Sequence, residues 1–115
     1  MHRILTDQDF DEDILHGLAR IVELDWLPAR AFGQEEAVDE VIVELALRES
    51  RVLLTHDART LYPLIYRLRA EGRPIPRVAV VPQSLRLRVA IEQLQILLLA
   101  ATEADWERNP FRLPL

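Results

Sequence analysis

A chain of 115 residues that is 50% hydrophobic and 29% charged has enough apolar material for one packed domain, 1–115, and too much for a disordered one. It contains no cysteine and its fourteen basic residues are all arginine. Disulfide frameworks, thiolate metal sites, cysteine nucleophiles and mechanisms needing a lysine ammonium are therefore excluded, phosphate-loop nucleotide hydrolases and receiver-type phosphoacceptors among them. The net charge of −5 divides unevenly, with fourteen acids and five arginines in residues 1–57 against five acids and nine arginines in residues 58–115.

Arg3-Ile4-Leu5-Thr6 is a short apolar run stopping at acids, as a buried strand with a polar end does. Phe10, Ile14, Leu15, Leu18, Ile21 and Val22 then recur at helical spacing, with Asp9, Asp11, Glu12 and Asp13 in a first turn that the helix dipole favours. Residues 23–28 read as a second strand ended by Pro28, and 29–37 as loop. Asp39 occupies an N-cap position, and Val41, Ile42, Leu45 and Ala46 carry a helix to about Glu49. Val52-Leu53-Leu54 is the next strand, ending in Thr55-His56-Asp57, and a helix through Leu61, Leu64, Ile65 and Leu68 stops at Gly72-Arg73-Pro74. Val78 to Val81 forms another strand, Pro82-Gln83-Ser84 leads into a long helix through Val89, Leu94, Leu97 and Leu98, and Thr102 to Asp105 reads as a capping box.

Strands alternating with helices predict a three-layer α/β/α sandwich with a mostly parallel sheet of four to five strands. Ligands in such sheets bind beyond the carboxyl ends of the strands. Asp7 follows the first strand, Asp57 follows the third, Asp39 opens the helix before the third, and Asp9 lies two residues past Asp7. Brought together, these four carboxylates would repel one another unless a cation lay between them, and an all-oxygen donor set selects Mg²⁺ or Mn²⁺ over zinc. The chemistry suggested is metal-dependent phosphoester hydrolysis. Each acid also has a plain reading as a turn or capping residue, and His56 reads as a hydrogen-bonded structural residue. Arginines 59, 67, 69, 73, 77, 86 and 88 form either a phosphate-binding rim or an ordinary helix surface. Trp26 and Trp106 read as core residues.

The segments Ile4-Leu5-Thr6-Asp7-Gln8-Asp9, Asp39 with Val41-Ile42-Val43-Glu44-Leu45-Ala46, and Arg51-Val52-Leu53-Leu54-Thr55-His56-Asp57 resemble the small PIN-like proteins related to VapC-type toxins. Val78-Ala79-Val80-Val81-Pro82-Gln83 and the ending Leu113-Pro114-Leu115 agree, so the resemblance spans nearly the whole chain. It implies a PIN-like fold with an Mg²⁺ or Mn²⁺ pocket and ribonuclease activity, as the toxin of a toxin–antitoxin pair. Position by position, Asp7, Asp39 and Asp57 match the family's catalytic, metal-holding acids, and Asp9 matches an Asn or Asp supporting the pocket. Thr55 and Arg59 are expected at the substrate. The chain departs from many relatives at Gln8, where they have Glu, and at Arg59, where they have a second Asp; the latter bears on a second metal ion.

Two other readings compete. Asp7-Gln8-Asp9-Phe10 has the Asp-x-Asp shape of a haloacid-dehalogenase-like phosphatase, although the lysine of that class is missing. A non-catalytic PIN-like module binding a partner protein or RNA is the other. Partners expected on the nuclease reading are an RNA substrate, an antitoxin protein and, from the apolar surface of Leu85 to Ala101, a second copy in a homodimer. The start, Met1-His2-Arg3-Ile4-Leu5-Thr6-Asp7, does not read as a signal-peptide core, and Ile96 to Ala101 is far short of the ~20 residues of a membrane span. A soluble, cytoplasmic protein with no membrane partner is expected.

Overall fold

Side-chain alternation along a few short strands sets the layers. The computed structural model describes residues 1–34, 36–108 and 110–115. The elements are β1 (His2–Thr6), α1 (Glu12–Ala19), β2 (Leu24–Pro28), a 3-10 turn (Ala29–Phe32), α2 (Asp39–Glu49) and β3 (Val52–Thr55). They continue with α3 (Leu61–Ala70), β4 (Val78–Val80), α4 (Leu87–Ala100), α5 (Glu103–Glu107) and β5 (Phe111–Arg112). The five strands form one sheet in the order β2-β1-β3-β4-β5, with every pairing parallel.

Ile4, Val52, Leu54, Ala79 and Val81 face one side of this sheet and pack with Ile14, Leu15 and Leu18 of α1, Leu94 and Leu97 of α4, and Trp106 of α5. Leu5, Leu53, Val78 and Val80 face the other side, against Ile42, Val43, Leu45 and Ala46 of α2 and Leu61, Leu64, Ile65 and Leu68 of α3. The central strands are thus covered on both faces, as parallel sheets require, and the result is the expected three-layer α/β/α sandwich. Among the described residues no helix is long and apolar enough to cross a membrane.

The connections through α1, α2 and α3 share one hand, because α1 leads leftward to β2 on one face while α2 and α3 lead rightward on the other. The return from β4 to β5 runs rightward on the face of α1 and so has the opposite hand to these three. The common-hand rule yields here to packing, since α1 has only 8 residues and α4 completes that layer. Gly17 lets the two helices approach: a Cβ there would sit 2.4 Å from Ile91 Cδ1.

Several boundaries differ from the sequence expectation. Helix α1 starts at Glu12, with Asp11 as its N-cap accepting from the Asp13 N–H at 3.0 Å. Asp9 and Phe10 therefore precede the helix, and Phe10 is buried in the core layer of α1 with its ring stacked on His56. Ile21 and Val22 follow the helix end. The expected loop 29–37 begins with the 3-10 turn that Pro28 opens and Gly33 ends at φ 73°, and Glu35 within it lies outside the described residues. The N-cap of α2 is Val38, which makes no side-chain cap, so Asp39 is the first helical residue rather than the cap. Trp106 is buried as expected, whereas Trp26 is half-buried and its Nε1 donates to Thr6 Oγ1 at 3.2 Å.

Candidate functional site

In a 2-1-3-4-5 order the chain leaves β1 in one direction and returns past it in the other, so the crevice at the carboxyl ends of β1 and β3 is the topological switch point. Asp7 lies just past β1 and Thr55 ends β3. Strand pairing Thr6 with Leu54 makes these two ends neighbours. The buried Thr55 hydroxyl donates its proton to Asp7 Oδ2 at 2.5 Å, and its oxygen accepts from the Asp57 N–H at 3.2 Å. Thr55 thus lies beneath the crevice with its hydroxyl committed to two of the predicted site residues.

Only one oxygen of Asp7 is satisfied. Oδ1 is buried without a hydrogen-bond partner. Burial raises the Asp7 pKa above the usual carboxylate value; the Thr55 hydrogen bond and His56 oppose that shift, while Asp9 and Asp39 add to it by like-charge repulsion. Asp39 reaches the crevice from the first turn of α2, and its Oδ2 accepts from the Thr60 hydroxyl just ahead of α3. Asp9 is exposed. Asp9 and Asp39 thus act on Asp7 by like charge, while the three carboxylates do not form a close cluster among the described residues.

Asp57 is arranged differently. Its carboxylate is gripped by Arg59, whose Nε lies 3.2 and 3.3 Å from the two oxygens, whose Nη2 lies 2.9 Å from Oδ2, and whose backbone N–H donates to Oδ1 at 3.0 Å. These bonds lower the Asp57 pKa. Among the described residues no three His, Asp or Glu side chains are gathered closely enough to form a ready-made metal cage. The convergence of all four acids expected from the sequence is thus partial. What the site offers toward a hard divalent cation is one buried carboxylate oxygen of Asp7 without a hydrogen-bond partner, an oxygen donor of the kind such ions take.

His56 is a clip. Its Nε2 accepts from the Asp11 N–H at 2.9 Å, which leaves the ring proton on Nδ1 to be donated to the Val81 carbonyl at 2.7 Å. The ring also stacks on Phe10 at 4.4 Å. It therefore ties the end of β3 to the start of α1 and the end of β4, the structural role its sequence context suggests. Both nitrogens are occupied within the protein, so His56 is not placed to act as a base. His56→Ala is expected to cost about 2 kcal/mol by orphaning an N–H and a carbonyl, read as a lower urea midpoint; unchanged stability would contradict the clip.

The acids of the α1 first turn divide in use. Asp11 caps the helix, while Glu12 pairs with both terminal nitrogens of Arg30 and so binds α1 to the 3-10 turn on the far side of the crevice. The arginine rim is mostly broken up by pairing: Arg67 with Glu40, Arg73 with Glu71, Arg77 with Glu103, and Arg88 with Glu92. Arg73 and Arg77 moreover precede β4 and lie toward the opposite end of the sheet from Asp7. A cavity of about 400 Å³ opens beside the crevice, walled by Asp39, Thr60, Pro63, Leu64 and Arg67 but not by Asp7.

Fold and site together define an α/β domain with a parallel sheet and an acidic crevice at its switch point. No family model, curated protein or solved structure matches the chain.

Proposed function

We propose that the chain is a Mg²⁺- or Mn²⁺-dependent ribonuclease of the PIN-like kind, acting as the toxin-like member of a pair with an antitoxin protein. The observation that carries this reading is Asp7, a carboxylate at the switch point with one oxygen pinned by Thr55 and the other buried without a donor beside Asp9 and Asp39. Such an arrangement is costly as a purely structural device, because the Thr55 hydrogen bond and His56 offset the burial of the charge only in part. A cation held there supplies the positive charge that activates a water and offsets charge developing on a phosphodiester.

Asp7 is the central ligand on this reading, and Thr55 fixes which of its oxygens is presented. Asp39, restrained by Thr60, and the exposed Asp9 add their charge to it. Asp57 and Arg59 lie at the rim, where the guanidinium can meet a phosphate oxygen. The absence of lysine weighs against the haloacid-dehalogenase-like alternative.

The test is incubation of the folded protein and Asp7→Asn with a mixed RNA pool, with Mn²⁺ and with chelator. Fragments are expected only with metal, and about a hundredfold fewer from the variant. Cleavage that survives chelator, or is equal in Asp7→Asn, would overturn the assignment. RNA binding without metal or cleavage would instead favour the non-catalytic module.

A further inference from the structure

Helix α3 starts at the crevice and carries aromatic and cationic side chains in one row. Tyr62, Tyr66 and Arg69 follow one another at four and then three positions, the spacing of one helical face. The Tyr62 N–H donates to the Ala58 carbonyl at 2.8 Å, so a helical turn already forms ahead of α3 and brings Arg59, three positions before Tyr62, onto the same face. Leu61, Leu64, Ile65 and Leu68 turn a different side of the helix to the sheet. The two tyrosine rings lie nearly parallel, with centroids 6.2 Å apart and planes 17° from each other. Tyr62 packs against the core, whereas Tyr66 is 58% exposed. A single exposed ring is ordinary; a stacked pair between two arginines, ending at the rim of the crevice, is an arrangement suited to a ligand with flat faces and negative charge.

The surrounding charge agrees. Helix α3 contains no acid, and the acids that flank it in the chain, Asp57 and Glu71, are each paired with an arginine. Arg112 adds an exposed cation on this side of the sheet: Phe111 packs into the layer of α1, so the next residue of β5 points to the layer of α3, in register with Val80. Resting on the ribonuclease reading above, we infer that the row Arg59, Tyr62, Tyr66 and Arg69 is a track for an unpaired stretch of RNA, whose bases stack on the tyrosines and whose phosphates meet the arginines. Stacking on a side chain needs a base with a free face, which a single strand offers and a duplex does not. A strand lying along the row reaches the crevice at Arg59.

The experiment is a titration of the full chain, in chelator so that no cleavage intervenes, against a fluorescein-labelled oligouridylate of about eight nucleotides and against its duplex with oligoadenylate, followed by fluorescence anisotropy at several salt concentrations. The single strand is expected to bind about tenfold more tightly than the duplex. Tyr66→Ala should weaken the single strand by about tenfold, the loss of one stacked base, while Tyr66→Phe, which keeps the ring, should stay within about twofold. Arg69→Ala should lower the slope of log affinity against log salt by about 0.7, the share of one single-strand phosphate. Arg48→Ala, on the exposed side of α2 and off the row, should change neither affinity nor slope.

Tyr66→Ala binding as tightly as the wild type, Tyr66→Phe losing as much as Tyr66→Ala, or a duplex held as well as the single strand would overturn the inference, and cleavage that still needs Mn²⁺ and Asp7 would then leave the ribonuclease reading intact. Binding that depends on Tyr66, from a protein that cleaves with no metal, would uphold the track and overturn the nuclease. No RNA bound by the folded wild type would overturn the track. Circular dichroism of each variant establishes folding, which the exposure of Tyr66, Arg69 and Arg48 favours.

Discussion

Asp7→Asn is expected to raise the thermal midpoint of the metal-free chain at neutral pH by about 4 °C, the shift that roughly 1 kcal/mol produces in a domain of this size, while abolishing its response to Mn²⁺. The wild-type carboxylate is desolvated, its Oδ1 has no donor, and Asp9 and Asp39 add repulsion. Asn keeps an oxygen to accept from Thr55 and removes the charge. Stability and binding should therefore move in opposite directions, as they do where a site is held in an unfavourable state for its ligand. Saturating Mn²⁺ at a hundred times its Kd stabilises a binding protein by about 2.7 kcal/mol, so the order reverses: with metal, the wild type melts above the variant.

The pH dependence has a definite sign. Because the folded-state pKa of Asp7 lies above its unfolded value, the folded chain holds more protons than the unfolded one between those two values. Stability relative to Asp7→Asn therefore falls as pH rises from the ordinary carboxylate value through the raised one, and the gap between the proteins closes on acidification. The comparison cancels the opposite trend of Asp57, Glu12 and Asp105, whose lowered pKa values make both proteins lose stability in acid. A variant that melts at or below the wild type at neutral pH without metal, or one that still responds to Mn²⁺, would show that Asp7 is an ordinary capped carboxylate.

The layering and the sheet were legible because they depend on local pattern. Three apolar runs, two ending in the polar Thr6 and Thr55 and the third at Val81 before Pro82-Gln83-Ser84, fall within a residue or two of β1, β3 and β4, and the parallel sheet follows from the helices between them. Strand β5 has two residues, too few to show any period, and its place rests on Trp106 packing against Phe111. Val38 caps α2 without a side-chain bond and so leaves no sign in the sequence. Phe10 has helical spacing with Ile14 but precedes α1, and it joins the core from outside the helix while stacking on a histidine 46 positions away. At the site, Asp7, Asp9 and Asp39 could be named because a position after a strand or at a helix start is a local property. The Thr55–Asp7 and Thr60–Asp39 bonds, the orphaned Oδ1 and the grip of Arg59 on Asp57 depend on side-chain direction, which composition and spacing do not carry.

Arg51 is the clearest case of something the sequence concealed, and its removal carries the largest expected loss of stability. It sits just ahead of β3 and is 5% exposed, where an arginine is rarely found unless paired. Its Nη1 donates to the Asp25 carbonyl at 2.7 Å and the Ile4 carbonyl at 3.3 Å and lies 3.2 Å from Asp25 Oδ1. One side chain thereby fastens β3 to β1 and β2 at the end of the sheet away from the crevice. The half-exposed Arg3 shares Asp25 from outside and donates to the Glu49 carbonyl. Arg51→Ala should cost about 3 kcal/mol, since it removes a buried guanidinium's bonds to two backbone carbonyls and leaves Asp25 with Arg3 alone, and the thermal midpoint should fall by roughly 12 °C. Arg51→Met, which refills the volume but not the hydrogen bonds, should recover part of this, and Arg3→Ala should cost under about 1 kcal/mol because water replaces what it loses. Both Arg51 variants, where folded, should keep the wild-type Mn²⁺ response, because their damage lies at the other end of the strands. If Arg51→Met is as stable as the wild type, desolvation of the guanidinium cancels its pairings, and the strands are held by their backbone ladders and apolar faces.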